Sequence, residues 1–165
     1  MTSKVPSPFR SSRVRGAMLA LVIAVAWPAF GPGPGEAQQE VSLSCLGGGR
    51  LSDSDLSRGT TIVVVWASWS PRSRNVVERV NPLAARWGAN ARVLTVNFQE
   101  DRPTIDGFLS GKGLNVPVCL DPEGAFSRKY NVATLPGLLV VKDGTVAYRG
   151  KLPENPDQTI ADLLR

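Results

Sequence analysis

An apolar segment that leads directly into a helix start constrains this fold more than any other feature. Thr61 to Ala67 reads Thr-Ile-Val-Val-Val-Trp-Ala, which is nearly all apolar and rich in β-branched residues. This composition predicts a central strand that is buried on both faces of a sheet. Ser70 and Pro71 then predict a helix, in which the Ser70 side chain is the N-cap and accepts from main-chain N–H groups, and Pro71 is the first helical residue.

Strands and helices alternate along the rest of the chain. Asp143-Gly144 is a strong turn signal and predicts a hairpin between the last two strands. Asn155 and Pro156 predict the N-cap and first residue of a final helix. Further strands are predicted at residues 41–45, 92–98, 117–120, 138–141 and 145–149, further helices at 104–109 and 124–130, and a polar connection with a short helical turn at 50–57. This order predicts an α/β fold with a central mixed β-sheet and helices on both faces.

The first 37 residues have the pattern of a secretory signal peptide. Four basic residues precede residue 16, residues 17–27 are uninterruptedly apolar, and 35–37 offer the small residues that a signal peptidase reads. The apolar run is shorter than the roughly 20 residues that span a bilayer, although a retained anchor is the alternative. We predict a signal peptide at 1–37, one domain at 38–165, a periplasmic or secreted location, and membrane contact only transiently through the signal peptide.

Composition excludes several kinds of chemistry. The chain has no histidine, which excludes Ser-His-Asp and Cys-His catalysis and any histidine-ligated metal site. Without residues 1–37 the net charge falls from +5 to +2, and the remaining domain has no basic run. We therefore expect no nucleic-acid partner, no metal and no cofactor.

Cys45 and Cys119 are the two cysteines of the chain, and both lie in predicted strands. Export favours a disulfide between them, which would stabilise the fold by about 4 kcal/mol in the chain-entropy model. Two buried thiols, or links between molecules, are the alternatives, because the sequence does not establish that the two strands are neighbours. A relocated redox pair is a further alternative, although neither cysteine lies at a helix N-terminus that would lower the pKa of a thiol.

Several segments, taken in order, resemble TlpA-like and redoxin-type members of the thioredoxin superfamily. Residues 51–59 and 63–73 resemble the approach to the family's redox motif, and 96–101, 108–109 and 113–121 resemble the strand-helix-strand insertion of that subfamily. Tyr130-Asn-Val-Ala-Thr-Leu-Pro136, followed by residues 138–144, resembles the loop and hairpin that carry the family's cis-proline. The resemblance covers about residues 41–165 and implies a thioredoxin-like fold with a TlpA-type insertion.

The resemblance breaks at the redox motif. Ser70 and Ser73 stand where the family has the two cysteines of its C-x-x-C motif, the nucleophile and the resolving residue. A serine hydroxyl forms no disulfide and ionises far above neutral pH, so the dithiol cycle is not available at these positions. The central strand also lacks the buried carboxylate of thioredoxins, and Gly137 follows Pro136 where relatives often have threonine.

The resemblance also implies a shallow apolar groove, in which an extended peptide would be held by backbone pairing. Trp69 corresponds to the partly exposed tryptophan before the family's first cysteine. Arg72 and Arg74 are either ordinary solvated surface or a docking patch for an acidic partner. The predicted groove residues are Trp69, Ser70, Pro71, Arg72, Leu135 and Pro136.

Two functional hypotheses of different classes follow. The first, which we prefer, is a binding or accessory module without catalytic residues, whose ligand is an extended peptide or a partner protein. The family resemblance implies an extracytoplasmic thiol/disulfide or cytochrome-maturation pathway as its setting. The second is a thiol-disulfide oxidoreductase or peroxidase that acts through Cys45 or Cys119. A purely structural role is a third possibility.

Overall fold

The computed structural model describes residues 40–165, so the predicted signal peptide lies outside the described residues. None of the helices within that range combines the length and the apolar character that crossing a membrane requires. The final helix begins at Pro156 as predicted, but the Asn155 side chain makes no capping hydrogen bond. In chain order the elements are β1 (Ser42–Ser44), β2 (Arg50–Ser52), α1 (Asp53–Leu56), β3 (Thr60–Trp66), a 3-10 turn (Pro71–Ser73), α2 (Val76–Trp87), β4 (Arg92–Phe98), α3 (Arg102–Leu109), β5 (Val118–Asp121), α4 (Ala125–Lys129), β6 (Gly137–Lys142), β7 (Thr145–Lys151) and α5 (Pro156–Leu163).

Five of the strands form one mixed sheet in the order β5-β4-β3-β6-β7. The central strand, β3, is parallel to β4 and antiparallel to β6, and β5 is parallel to β4. β6 and β7 form the predicted hairpin, where Asp143 and Gly144 have φ angles of 49° and 78°, as a type I′ turn requires. The predicted α/β fold with a central mixed sheet is confirmed.

Helices cover both faces of this sheet. Side chains of β3 alternate between the faces, as in any strand, and each face has its own cluster of buried apolar residues. Ile62, Val64 and Trp66 pack with residues of α2, α3 and α5. Val63 and Val65 pack on the opposite face with residues of β1, β2, α1 and α4. All five side chains are fully buried, which explains why β3 is a continuous apolar run rather than an alternating one.

A small hairpin, β1 and β2, lies beside the main sheet. The two strands pair antiparallel across the glycine turn at residues 47–49. The prediction of a polar connection at 50–57 is wrong for its first three residues, because Leu51 is buried in the core while its two neighbours face outward. The predicted short helical turn is present as α1, which the Ser52 side chain caps together with Asp55.

Hydrogen bonds to the Asp53 carboxylate connect this hairpin to α4. Its carboxylate accepts hydrogen bonds from the Val41 N–H at 2.7 Å, from Lys129 Nζ at 2.6 Å and from the Tyr130 hydroxyl at 2.7 Å. Burial alone would raise the pKa of Asp53, but the three hydrogen bonds together outweigh it and hold the pKa below its usual value. The hairpin is therefore held against α4 by an ionised carboxylate.

Candidate functional site

The loop after β3 and the loop before β6 meet at Ser70. Only 6% of Ser70 is exposed, and its hydroxyl donates a hydrogen bond to the main-chain carbonyl of Leu135 at 3.3 Å. The peptide bond between Leu135 and Pro136 is cis. The structure thus brings together residues from two predicted segments that lie 65 positions apart in the chain.

The prediction that the Ser70 side chain caps a helix is wrong. Ser70 precedes Pro71 at the start of a 3-10 turn, but its side chain makes no capping hydrogen bond. The N–H that a cap would bind, that of Ser73, is already bonded to the main-chain carbonyl of Ser70 at 2.9 Å. α2 begins only at Val76, so the Ser70 hydroxyl is available for Leu135 instead.

An apolar groove of about 520 Å³ lies between the two loops. Trp69 is its most exposed large apolar side chain, with 60% of its surface accessible. Five of the six predicted groove residues line it, whereas Pro136 is buried and does not. Three lining residues, Phe98, Val132 and Ala133, were not predicted from the sequence. Phe98 could have been predicted, because it ends the strand that pairs with β3. The lining residues are Trp69, Ser70, Pro71, Arg72, Phe98, Val132, Ala133 and Leu135.

One wall of the groove offers unused main-chain donors. Within the described residues, the N–H groups of Ala133, Thr134 and Leu135 make no hydrogen bond. The N–H just before them is engaged, since Val132 donates to the Ser127 carbonyl at 2.8 Å. An extended peptide binds to such main-chain donors through its own carbonyl oxygens, as when a peptide adds a strand to the edge of a sheet.

Glu100 holds the loop that carries Trp69. Its carboxylate accepts hydrogen bonds from the Ser68 N–H at 2.7 Å, from the Ser68 hydroxyl, and from Asn97 Nδ2 at 2.6 Å. Only 9% of Glu100 is exposed, and a buried carboxylate is stable only with such partners. This contact was not predicted, because no local signal in the sequence distinguishes Glu100 from a surface carboxylate.

Ser73 and Ser70 offer no activated nucleophile. Ser73 is fully buried, and its hydroxyl has no hydrogen-bond partner among the described residues. Ser70 contacts a carbonyl oxygen through its hydroxyl, whereas a nucleophilic serine needs a neighbouring base. The site therefore offers a shaped apolar surface with main-chain donors, and neither serine is hydrogen-bonded to a basic side chain among the described residues.

Gly137 allows the loop before β6 to close against the groove. A Cβ at this position would lie 2.6 Å from Cγ1 of Val132 and 2.7 Å from the main-chain oxygen of Thr134. Both distances are far below van der Waals contact, so a side chain here would displace a groove-lining residue. The absence of threonine after Pro136, noted from the sequence, thus has a steric reason in this chain.

Cys45 and Cys119 form a disulfide, with their Cα atoms 3.8 Å apart. Cys119 lies on the edge strand β5 and is fully buried, while Cys45 follows β1 and is partly exposed. β4 separates β5 from β3, so the disulfide fastens the hairpin to the sheet edge and does not line the groove. Of the alternatives that the sequence left open, the structure contains the bridge.

Two other features of residues 40–165 bear on function. A larger cavity of about 770 Å³ lies between β1, β5 and α4. Its charged side chains include both Glu123 and Arg128, whose charges offset each other. No group of cysteine, aspartate or glutamate side chains in the described part of the chain is arranged to hold a metal ion.

The Redoxin family model matches residues 22–164, which is most of the chain. A search of curated protein sequences found no match to this chain.

Solved structures share the fold at low sequence identity. The exposed lipoprotein thioredoxin Etrx1 of Streptococcus pneumoniae is 20% identical, with 76% of this chain and 98% of that chain covered and a TM-score of 0.66. StoA of Bacillus subtilis is 18% identical, with 76% and 96% covered and a TM-score of 0.62. A secreted Mycobacterium tuberculosis disulfide oxidoreductase, homologous to Escherichia coli DsbE, is 18% identical, with 78% and 98% covered and a TM-score of 0.63. These similarities confirm the predicted thioredoxin-like fold.

Proposed function

The chain belongs to the Redoxin family of thioredoxin-like proteins, and from that membership we propose that it is an exported binding module without a redox dithiol. It holds an extended peptide, or an extended segment of a partner protein, in the groove beside Trp69. It acts as an accessory component in an extracytoplasmic thiol/disulfide or cytochrome-maturation pathway. Ser70 and Ser73 occupy the positions of the family's two cysteines, so the module binds without exchanging disulfides.

The observation that carries this proposal is the pairing of an apolar groove with free main-chain donors. Trp69, Phe98 and Leu135 supply apolar surface, and the N–H groups of residues 133–135 have no acceptor in the described part of the chain. Contact between the groove and apolar side chains of the ligand provides affinity. Hydrogen bonds to the ligand's main chain do not depend on its side chains, so peptides of many sequences can form them. The combination suits a ligand in extended conformation better than a compact small molecule.

The extracytoplasmic setting is supported by two independent features. One structural neighbour is an exposed lipoprotein and another is a secreted oxidoreductase. The chain's own cysteines form a disulfide, a bond that persists in oxidising compartments.

An oxidoreductase acting through Cys45 and Cys119 is less well supported. Cys119 is fully buried, so an attacking thiolate would reach the bond only through Cys45. The disulfide also lies away from the groove, on the edge strand β5.

Peptide binding and disulfide exchange can be measured on the same full-length protein. We expect a capped peptide of about six residues, rich in valine and threonine, to bind and to change tryptophan fluorescence. The Trp69→Ala variant should bind much more weakly, while Trp87→Phe, outside the groove, should bind as the parent does. An insulin-reduction assay should show no turnover above the uncatalysed rate.

Absence of binding to any extended peptide would overturn the binding role. Turnover in the insulin assay that disappears in a Cys45→Ser variant would instead establish the oxidoreductase.

A further inference from the structure

The groove has one charged side chain, Arg72, among the described residues that line it. We propose that the segment bound in the groove carries an aspartate or glutamate side chain, and that Arg72 binds its carboxylate. This inference rests on the proposed function, because it names the chemistry of the ligand at the same groove. It assigns Arg72 a specificity role that Arg74, in the same loop but outside the groove lining, does not share.

The Arg72 guanidinium is not engaged elsewhere in residues 40–165. It makes no hydrogen bond or ion pair with a described residue, and it does not lie over an aromatic ring. Other arginines of the described residues are paired: Arg79 donates to the Pro153 carbonyl and Arg128 to the Glu123 carbonyl. A groove cation with all its donors free is available to a ligand.

No carboxylate of the site neutralises Arg72. Glu100 is the acidic residue closest in the chain to the groove lining, two positions after Phe98, and it faces inward. Its oxygens are occupied by the Ser68 N–H, the Ser68 hydroxyl and Asn97. The positive charge of Arg72 is therefore uncompensated in the free protein, which favours a ligand that brings a negative charge.

The shape of the Arg72 guanidinium also favours a side-chain carboxylate on the ligand. A guanidinium presents two parallel N–H groups that match the two oxygens of a carboxylate. The neighbouring surface is apolar, since Trp69, Pro71 and Leu135 flank Arg72 in the groove. A bound segment that covers these residues would exclude water from the pair and strengthen it. The expected ligand thus alternates apolar residues with at least one acidic residue.

Two matched peptides measure how much a negative charge on the ligand contributes to binding. Both are acetylated and amidated, consist of valine and threonine, and differ at one position, which is asparagine in one and aspartate in the other. That position is moved through the peptide, and binding to the full-length protein is measured at low and high salt. At the best position we expect the aspartate peptide to bind about five-fold more tightly, the upper end for an exposed ion pair, with the preference reduced by salt.

Variants identify the residue responsible. Arg72→Gln should abolish the preference for aspartate, so that this variant binds the two peptides equally. Arg74→Gln should keep both the affinity and the preference. Equal binding of the two peptides at every position would overturn the inference and leave the proposed function standing. Preference only for a free C-terminal carboxylate, tested with unamidated peptides, would also overturn it. No binding of any peptide would overturn the proposed function and this inference together.

Discussion

The hydroxyl of Ser70 donates a hydrogen bond to the main-chain carbonyl of Leu135, with 3.3 Å between the two oxygens. This bond joins the loop after β3 to the loop before β6, and the groove lies between these loops. A serine at this position therefore has a structural contact of its own. The groove is therefore present with a serine, and not a thiol, at this position.

Introducing thiols at positions 70 and 73, the proposed redox positions, should create a dithiol activity. Ser73 is fully buried, and its hydroxyl has no partner within residues 40–165. A cysteine there therefore loses no hydrogen bond to that part of the chain and suits a buried position. We expect the Ser70→Cys/Ser73→Cys double variant to reduce insulin disulfides when supplied with a dithiol reductant, and the parent protein to remain inactive.

The Ser70→Ala/Ser73→Ala variant is the matched control and should also be inactive. A folded double-cysteine variant without any exchange activity would contradict the correspondence between these serines and the family's redox positions.

Replacing Gly137 should damage the loop that forms the groove. A Cβ would lie 2.6 Å from Val132 and 2.7 Å from the Thr134 oxygen, so Gly137→Ala should lower the free energy of unfolding by about 2 kcal/mol. Peptide affinity should fall as well, because Val132 and its neighbours must shift. Gly113→Ala is the control, since nothing lies within 4 Å of its Cβ; urea titration of both variants compares them.

Removing the disulfide should destabilise the fold without affecting the groove. The bond joins residues 74 positions apart, and its loss should cost about 4 kcal/mol in the chain-entropy model. We expect Cys45→Ala/Cys119→Ala to unfold at lower urea concentration but, while folded, to bind peptide as the parent does. Loss of binding by a demonstrably folded variant would show that the hairpin contributes to the site.

Asp53 should make stability depend on pH on the acid side. Its pKa in the folded protein lies below the usual value of 3.8, because the hydrogen bonds from Lys129, Tyr130 and Val41 outweigh burial, which alone would raise it. A lowered folded-state pKa stabilises the protein above the unfolded-state value, and this contribution is lost as the pH falls through the folded-state pKa. Between about pH 5 and pH 2, the parent should therefore lose more free energy of unfolding than Asp53→Asn.

At neutral pH, Asp53→Asn should already be less stable by about 2 kcal/mol, since it replaces charge-assisted hydrogen bonds by weaker neutral ones. Identical acid dependence of the parent and the variant in urea titrations would mean that Asp53 is not held ionised by this network.

Periodicity and composition predicted most of this fold because the strongest signals are local. β3 could be predicted from its own residues, and the hairpin from Asp143 and Gly144. The strand β2 could not, because three residues become a strand only through pairing with β1. Contacts between distant segments were likewise beyond local reasoning: the Ser70 side chain bonds to Leu135 rather than capping a helix.

Some residues of the candidate site could likewise be predicted from the sequence, and others could not. Trp69 and Leu135 could be assigned to a groove because a family resemblance placed their loops together. Val132 and Glu100 could not, because their roles depend on how loops and strand ends meet in three dimensions. Glu100 in particular looks like an ordinary surface carboxylate until its hydrogen bonds to Ser68 and Asn97 are seen.

Hydrogen exchange at single amides tests the binding account most directly. The N–H groups of Ala133, Thr134 and Leu135 have no acceptor among the described residues, so they should exchange rapidly in the free protein. Adding the aspartate-containing extended peptide should slow exchange at one or more of these three amides, because the peptide supplies the missing acceptor. Peptide binding with unchanged exchange at all three, or with protection confined to β1 and β5, would contradict the account.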